Sequence, residues 1–219
     1  MKIYVMKGEY LDERTYLLVK GEDALVIDPG ASAERILKAC ESLSVKPFAV
    51  LLTHGHCDHI FGAAALQRDG VMILAHEAEI PVISGRANLA LAFSMTLEAF
   101  TPDHTFSHEE EGLRIGPFYL KVYHTPGHTQ GSVCYLTEGA LFTGDTLFKS
   151  SYGRTDFPTG DEQDMLCSIA NVLFELPKNT AVYAGHGDIL SENDGGIRLA
   201  VPDTTIGEEY STNPILDLL

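Results

Sequence analysis

PFAVLLTHGHCDHIFG, residues 47–62, passes from an unbroken apolar run into three histidines, an aspartate and a cysteine within six positions. The apolar run is too short for a helix and reads as a buried strand whose C-terminal end opens into the histidine loop. His54 and His56, two apart where extended chain enters a loop, can converge on one ion if the loop turns. Asp58 and His59 begin the next turn and can face a neighbouring point. A lone histidine is ordinarily a surface or hydrogen-bonded core residue, but this crowding at a strand end argues for metal ligation. Zinc suits imidazole nitrogen and carboxylate oxygen. Cys57, between His56 and Asp58, reads as a small spacer.

Outward from this stretch the chain alternates strands and helices. KIYVM, TYLLV and ALVID form a predicted meander, stopped by Asp28-Pro29-Gly30. Asp28 is either a turn residue or a partner of the histidine loop, and the sequence leaves both open. Ser32 is a candidate N-cap for a helix with Ile36, Leu37 and Ala39 or Cys40 on its apolar face. HIFGAAALQRDG predicts a helix stopped at Gly70, VMILAH a strand, and residues 88–99 an apolar helix with little polar surface. LRIG, FYLKVYH, SVCYL and ALFTG are consecutive strands, residues 164–176 are helical, and AVYAG is a last strand. Residues 188–203 are expected to be an exposed loop. Strand-rich halves each followed by helices indicate a layered α/β architecture with helices outside the sheets, and a single domain over residues 1–219.

The chain has 15 Lys and Arg against 31 Asp and Glu, a formal net charge of −16. A nucleic-acid partner requires clustered cations and is not expected. No stretch approaches the ~20 consecutive apolar residues of a membrane span, and the first residues read as alternating strand rather than a targeting segment. A cytoplasmic location is expected. The four cysteines lack paired spacing and are expected to be reduced.

Three further segments place a histidine or aspartate beside glycine at a strand-to-loop junction: TPGHTQG with His128, FTGDTLF with Asp145 and YAGHGD with His186. Glycine permits the tight turns and close backbone approach that converging ligands require. The H-x-H-x-D-H run followed by Gly-His, Gly-Asp and Gly-His resembles the metallo-β-lactamase superfamily. The resemblance implies a four-layer αββα sandwich of two mixed sheets packed face to face with helices outside. It implies that His54, His56 and His128 hold a first metal, that Asp58, His59 and His186 hold a second, and that Asp145 bridges both. Two zinc ions per chain are expected, with iron or manganese as alternatives. Water shared by two cations is acidified toward neutral pH and becomes a nucleophile without a separate strong base. Asp58 is then both a ligand and an orienter of that nucleophile, hence the catalytic candidate.

LFTGDTLFKSSYGRTDFPTGD and, near the end, TTIGEEYSTNP resemble the small prokaryotic glyoxalase II-like hydrolases. That resemblance implies hydrolysis of a small-molecule thioester of the hydroxyacylglutathione type, with Arg154 and Lys149 as candidates to pair with a substrate carboxylate. The chain departs from classical glyoxalases at Ser132, where those often carry His, and from the small glyoxalase II-like group in the sixteen residues 188–203, which separate GHG from TTIG where that group has almost none. The alternatives are a mononuclear iron persulfide dioxygenase using His54, His56, His128 and Asp145, a β-lactamase, and a non-catalytic metal-binding module. Sparse polar cover on the expected helix at residues 88–99 makes a homo-oligomer interface possible there.

Overall fold

The computed structural model describes residues 1–107, 112–187 and 196–219. A first sheet has seven strands: β1 (Lys2–Lys7), β2 (Arg14–Lys20), β3 (Asp23–Ile27), β4 (Lys46–Leu51), β5 (Met72–His76), β6 (His104–Phe106) and, at its other edge beside β1, β14 (Arg198–Leu199). The meander β1–β2–β3 is antiparallel, and β3 to β6 run parallel. The second sheet has the order β15 (Thr204–Thr205), β13 (Ala181–Ala184), β10 (Ala140–Gly144), β9 (Val133–Thr137), β8 (Phe118–His124), β7 (Leu113–Ile115). A hairpin of β11 (Leu147–Phe148) and β12 (Ser151–Tyr152) stands apart. The helices are α1 (Ala33–Ser42), α2 (Ala63–Arg68), α3 (Ile80–Ser84), α4 (Glu162–Asn171) and α5 (Ile206–Thr212).

The period of two along each central strand builds the layers. Leu25 and Ile27 of β3 and Ala49 and Leu51 of β4 point into the core between the sheets, where they meet Phe118, Leu120, Tyr135 and Phe142. Their neighbours Ala24, Val26 and Val50 point the other way, onto Ile36 and Cys40 of α1 and Leu66 of α2. In the second sheet Cys134, Leu141 and Val182 face Met165 and Ile169 of α4 and Ile206 of α5. The result is the expected four-layer sandwich. Strands buried on both faces lose their polar alternation, which is why PFAVLL is apolar throughout.

Residues 88–99 do not form the expected helix. A 3-10 turn at Arg86–Asn88 ends with Leu89 at φ +65°, and turns follow. Asn88 breaks the helix locally: its Oδ1 accepts the Ala90 N–H at 2.9 Å and its Nδ2 donates to the Ile83 carbonyl at 3.0 Å, bonds that compete with a helical ladder. The apolar side chains of the segment serve another purpose, since Leu89 and Met95 pack on Cys57 and roof the histidine loop. Of the 188–203 excursion, residues 188–195 lie outside the described residues. Within the rest, Leu199 and Arg198 extend the first sheet opposite Tyr4 and Val5.

Candidate metal centre

All seven residues expected as ligands gather at one end of the sandwich. His54, His56, Asp58 and His59 follow β4, His128 lies between β8 and β9, Asp145 follows β10 and His186 follows β13. Gly144 adopts φ +47°, and a Cβ there would collide with the Thr53 side chain, so only glycine lets the strand turn Asp145 inward beside the histidine loop.

Among the described residues three groups have their donor atoms within 4.8 Å of one another; two are made of the expected ligands, His54, His56 and His128, and Asp58, His59 and His186, and the third joins Asp28 to His54 and His59. In the first, His56 Nδ1 lies 2.9 Å from His128 Nε2. In the second, His59 Nε2 lies 3.2 Å from His186 Nε2, and His186 Nε2 lies 3.4 Å from Asp58 Oδ2. Asp145 reaches both. Its Oδ2 is 3.4 Å from His128 Nε2 and 3.3 Å from His186 Nε2, and its Oδ1 is 3.4 Å from His59 Nε2.

The outer nitrogens of four of the five histidines are tied down. His128 Nδ1 donates to the Arg154 carbonyl at 2.7 Å, His186 Nδ1 to the Leu11 carbonyl at 3.0 Å, and His59 Nδ1 to Asp28 Oδ2 at 3.0 Å. His54 Nδ1 sits 3.1 Å from Thr53 Oγ1. Bonds of this kind orient these four rings with Nε2 toward the centre. Nε2 of His54 and Oδ1 of Asp145 are buried and lack a hydrogen-bond partner among the described residues. Buried acceptors are ordinarily satisfied. Buried nitrogen and oxygen acceptors without a protein partner are the donor types a divalent cation takes.

Sequence reasoning left Asp28 undecided, and the structure places it against the site. Its Oδ1 accepts the Thr53 N–H at 2.7 Å and its Oδ2 the Thr53 hydroxyl at 2.6 Å in addition to His59. Arg154 lies at the rim of a cavity of about 360 Å³ over the clusters, with Leu11, Leu89, Phe93, Phe148 and Phe157. Its guanidinium stacks 4.0 Å from the Phe157 centroid and pairs with Asp156 through two bonds of 2.6 and 2.7 Å. Lys149 lines an adjoining cavity with Arg14, Phe148 and His186. Cys57 is buried against Leu89 and Met95, and burial pushes its thiol up to about 11, so it offers no thiolate nucleophile.

Charge divides the histidines into two groups. Burial opposes protonation of His186 and His59, but Asp145 and Asp58 outweigh it, raising His186 to about 10 and His59 well above its usual value. Burial and neighbouring imidazoles depress His54 strongly and His56 to about 3, and burial lowers His128. The linkage follows in sign. His59 and His186 contribute stability that is present below the unfolded value of about 6.5 and is lost as pH rises through their folded values. The other three are neutral in the folded chain, so their contribution is lost as pH falls below about 6.5. The histidine contribution of the chelator-treated protein therefore peaks near the unfolded histidine value. Thermal unfolding midpoints measured across this range are expected to decline on both sides, and a steady rise with pH would contradict the assignment.

The sequence profile described as the metallo-β-lactamase superfamily matches residues 11–186. The chain belongs to the metallo-β-lactamase superfamily. Among curated relatives, hydroxyacylglutathione hydrolase GloC of Haemophilus influenzae is 36% identical over 201 residues, 90% of this chain and 88% of that protein. Among solved structures, the BLEG-1 B3 metallo-β-lactamase superposes with a TM-score of 0.86 at 34% identity, covering 98% of this chain and 99% of that one. TTHA1623 in a di-iron-bound form superposes with a TM-score of 0.79 at 33% identity, covering 96% and 98%. Superfamily membership and the two clusters together support a metal-dependent hydrolase acting on a small molecule. Among the described residues no helix is long and apolar enough to cross a membrane.

Proposed function

We propose that the protein is a dinuclear metallohydrolase of the glyoxalase II type, a thioesterase for hydroxyacylglutathione-like substrates. The observation that carries this reading is a pair of three-residue clusters sharing Asp145 beneath an apolar-rimmed cavity. His54, His56 and His128 would hold one cation, Asp58, His59 and His186 the other, and Asp145 would touch both. Two divalent cations in such a site, zinc by this reading, acidify water and polarise a carbonyl oxygen.

The chain's own residues supply the rest. In the metal-free chain Asp58 is held anionic despite burial by the charge of His59 and the His186 bond, and as a carboxylate ligand it would fix the orientation of attack. Phe93, Phe148 and Phe157 exclude bulk water around the acyl group. Arg154, exposed at the rim, exchanges its Asp156 partner for a substrate carboxylate at little cost, because exposed pairs are worth about 0–1 kcal/mol. Lys149, also exposed, faces the carrier from the neighbouring cavity. The leaving thiol has a pKa of about 8.5 and departs as thiolate with no acid to protonate it. The thioester choice draws support from the GloC relative at 36% identity.

The alternative is an iron persulfide dioxygenase working from the first cluster and Asp145, and the di-iron relative makes iron an occupant worth measuring. Elemental analysis coupled to three assays separates the readings: a hydroxyacylglutathione thioester, a glutathione persulfide and a chromogenic cephalosporin. About two zinc ions per chain with thioester turnover is the expected result. One iron with sulfite release, or cephalosporin turnover without thioester turnover, would overturn it.

A further inference from the structure

Glu79 plays no part in the chemistry above and stands in no motif. It closes the short 3-10 turn Glu77–Glu79 after β5 and is fully buried. Both carboxylate oxygens are engaged. Oε2 accepts the Gly55 N–H at 2.6 Å, while Oε1 accepts the Thr129 hydroxyl at 2.7 Å and the Gly131 N–H at 2.8 Å. Gly55 lies between His54 and His56, and Thr129 and Gly131 follow His128. One carboxylate thus joins the two loops that carry the whole first cluster.

Both loops are shaped to receive it. A Cβ at Gly55 would stand 2.8 Å from Ile83 Cγ1 and 3.0 Å from Oε2, and one at Gly131 would stand 2.8 Å from Oε1 and 2.9 Å from the Glu79 nitrogen. Side chains there would push the carboxylate out of its seat. Contacts around it keep the β5 turn against the β8–β9 loop: Gln130 Nε2 donates to the Ala78 carbonyl at 2.8 Å, and the rings of His76 and His124 stack at 4.3 Å. A carboxylate is the side chain that can accept three converging donors at once, two of them buried main-chain N–H groups with little freedom to seek other acceptors. No hydrogen bond of Glu79 runs to Asp58, His59 or His186 among those described.

We propose that Glu79 is the positioning residue of the first cluster: its carboxylate sets the separation of the His54–His56 turn from His128, and with it the affinity for a cation there. The proposal rests on the reading that both clusters hold metal. Glu79→Gln keeps the volume but turns an amide N–H₂ toward groups that donate, so it tests the carboxylate rather than the packing.

Zinc affinity is measured by competition with a chromogenic chelator in two backgrounds. His186→Ala leaves the first cluster as the stronger site, and His128→Ala leaves the second. In His186→Ala, adding Glu79→Gln is expected to weaken zinc about 10–100-fold, the range for partners that orient ligands; in His128→Ala the change is expected to stay within about twofold. Equal losses in both backgrounds, as a general structural defect would give, or no loss in either would overturn the proposal. If Glu79→Gln does not fold, Thr129→Val removes one donor and spares the carboxylate. A several-fold loss confined to the first cluster then supports the proposal, and none refutes it. A parent protein that binds no zinc defeats the underlying reading as well, whereas a parent holding two equivalents beside an unchanged Glu79→Gln defeats this proposal alone.

Discussion

Asp145→Asn is expected to lower thioester turnover by on the order of a thousandfold and to leave the purified protein with less than one metal ion per chain. A ligand-orienting partner is worth about 10–100-fold in affinity or activity, and Asp145 stands one step closer to the metal than that, in both clusters at once. Its Oδ2 lies 3.4 Å from His128 Nε2 and 3.3 Å from His186 Nε2, while Oδ1 faces His59 Nε2 at 3.4 Å. Asparagine keeps the volume, but it is neutral and its amide nitrogen carries no lone pair for a cation. Weakening two sites that act together multiplies the losses, and a thousandfold corresponds to about 4 kcal/mol of transition-state stabilisation.

The same substitution changes the metal-free protein in a separate way. Burial works against the Asp145 charge, yet His186 and His59 hold its carboxyl well below the usual range, and it in turn raises both of them. With that charge gone, the two histidines lose protons nearer neutrality, and the alkaline decline in stability flattens. Metal content, kcat/KM and the alkaline unfolding profile can be measured on one preparation. A variant that keeps two metal ions and more than a tenth of the activity would contradict the shared-ligand assignment.

How much of this could be seen in the chain depended on whether a signal was local. Central strands declared themselves because Leu25 and Ile27 feed one core while Ala24 and Val26 feed another, leaving no polar interruption. The seven candidate ligands were visible because each group sits next to glycine at a strand end. Residues 88–99 misled because apolar content there serves a roof over Cys57 rather than one face of a helix, and the side-chain bonds of Asn88 are what stop the helix. β14 was missed because two residues carry no periodicity; its identity comes from pairing with Tyr4 and Val5, almost the full chain length away. Glu79 carries no local signal, since its partners Gly55 and Thr129 are distant in sequence and nothing in Glu-Ala-Glu marks the last residue as buried. Arg154 was legible as a cation, and its partner Asp156 was present in the same Gly-Arg-Thr-Asp run.

Asp28 is the residue on which local and distant signals met, and its replacement by asparagine should produce the second largest effect. Its backbone sits at φ +48°, a region asparagine enters readily, so Asp28→Asn leaves the Pro29–Gly30 turn intact. The side chain is what changes. Oδ1 can still accept from the Thr53 N–H, but an amide N–H₂ now confronts the His59 Nδ1–H and the Thr53 hydroxyl, both of which donate to Asp28 Oδ2 in the parent. If His59 instead accepts from that amide, its proton moves to Nε2 and points into the second cluster, where it blocks the lone pair a cation needs. Thr53, no longer donating to Asp28, also loosens its contact with His54 Nδ1. One substitution thus disturbs a histidine of each cluster. A 10–100-fold loss of metal affinity is expected, together with about 1–3 kcal/mol of stability for a buried donor left unsatisfied. Thr53→Val separates the two routes, since it removes the hydroxyl beside His54 while leaving the His59–Asp28 bond in place. It should weaken the first cluster only. Chelator competition on both variants, read beside their thermal unfolding, is the measurement. If Asp28→Asn binds and unfolds as the parent does, Asp28 is a turn residue and nothing more, and the orientation of His59 must come from elsewhere.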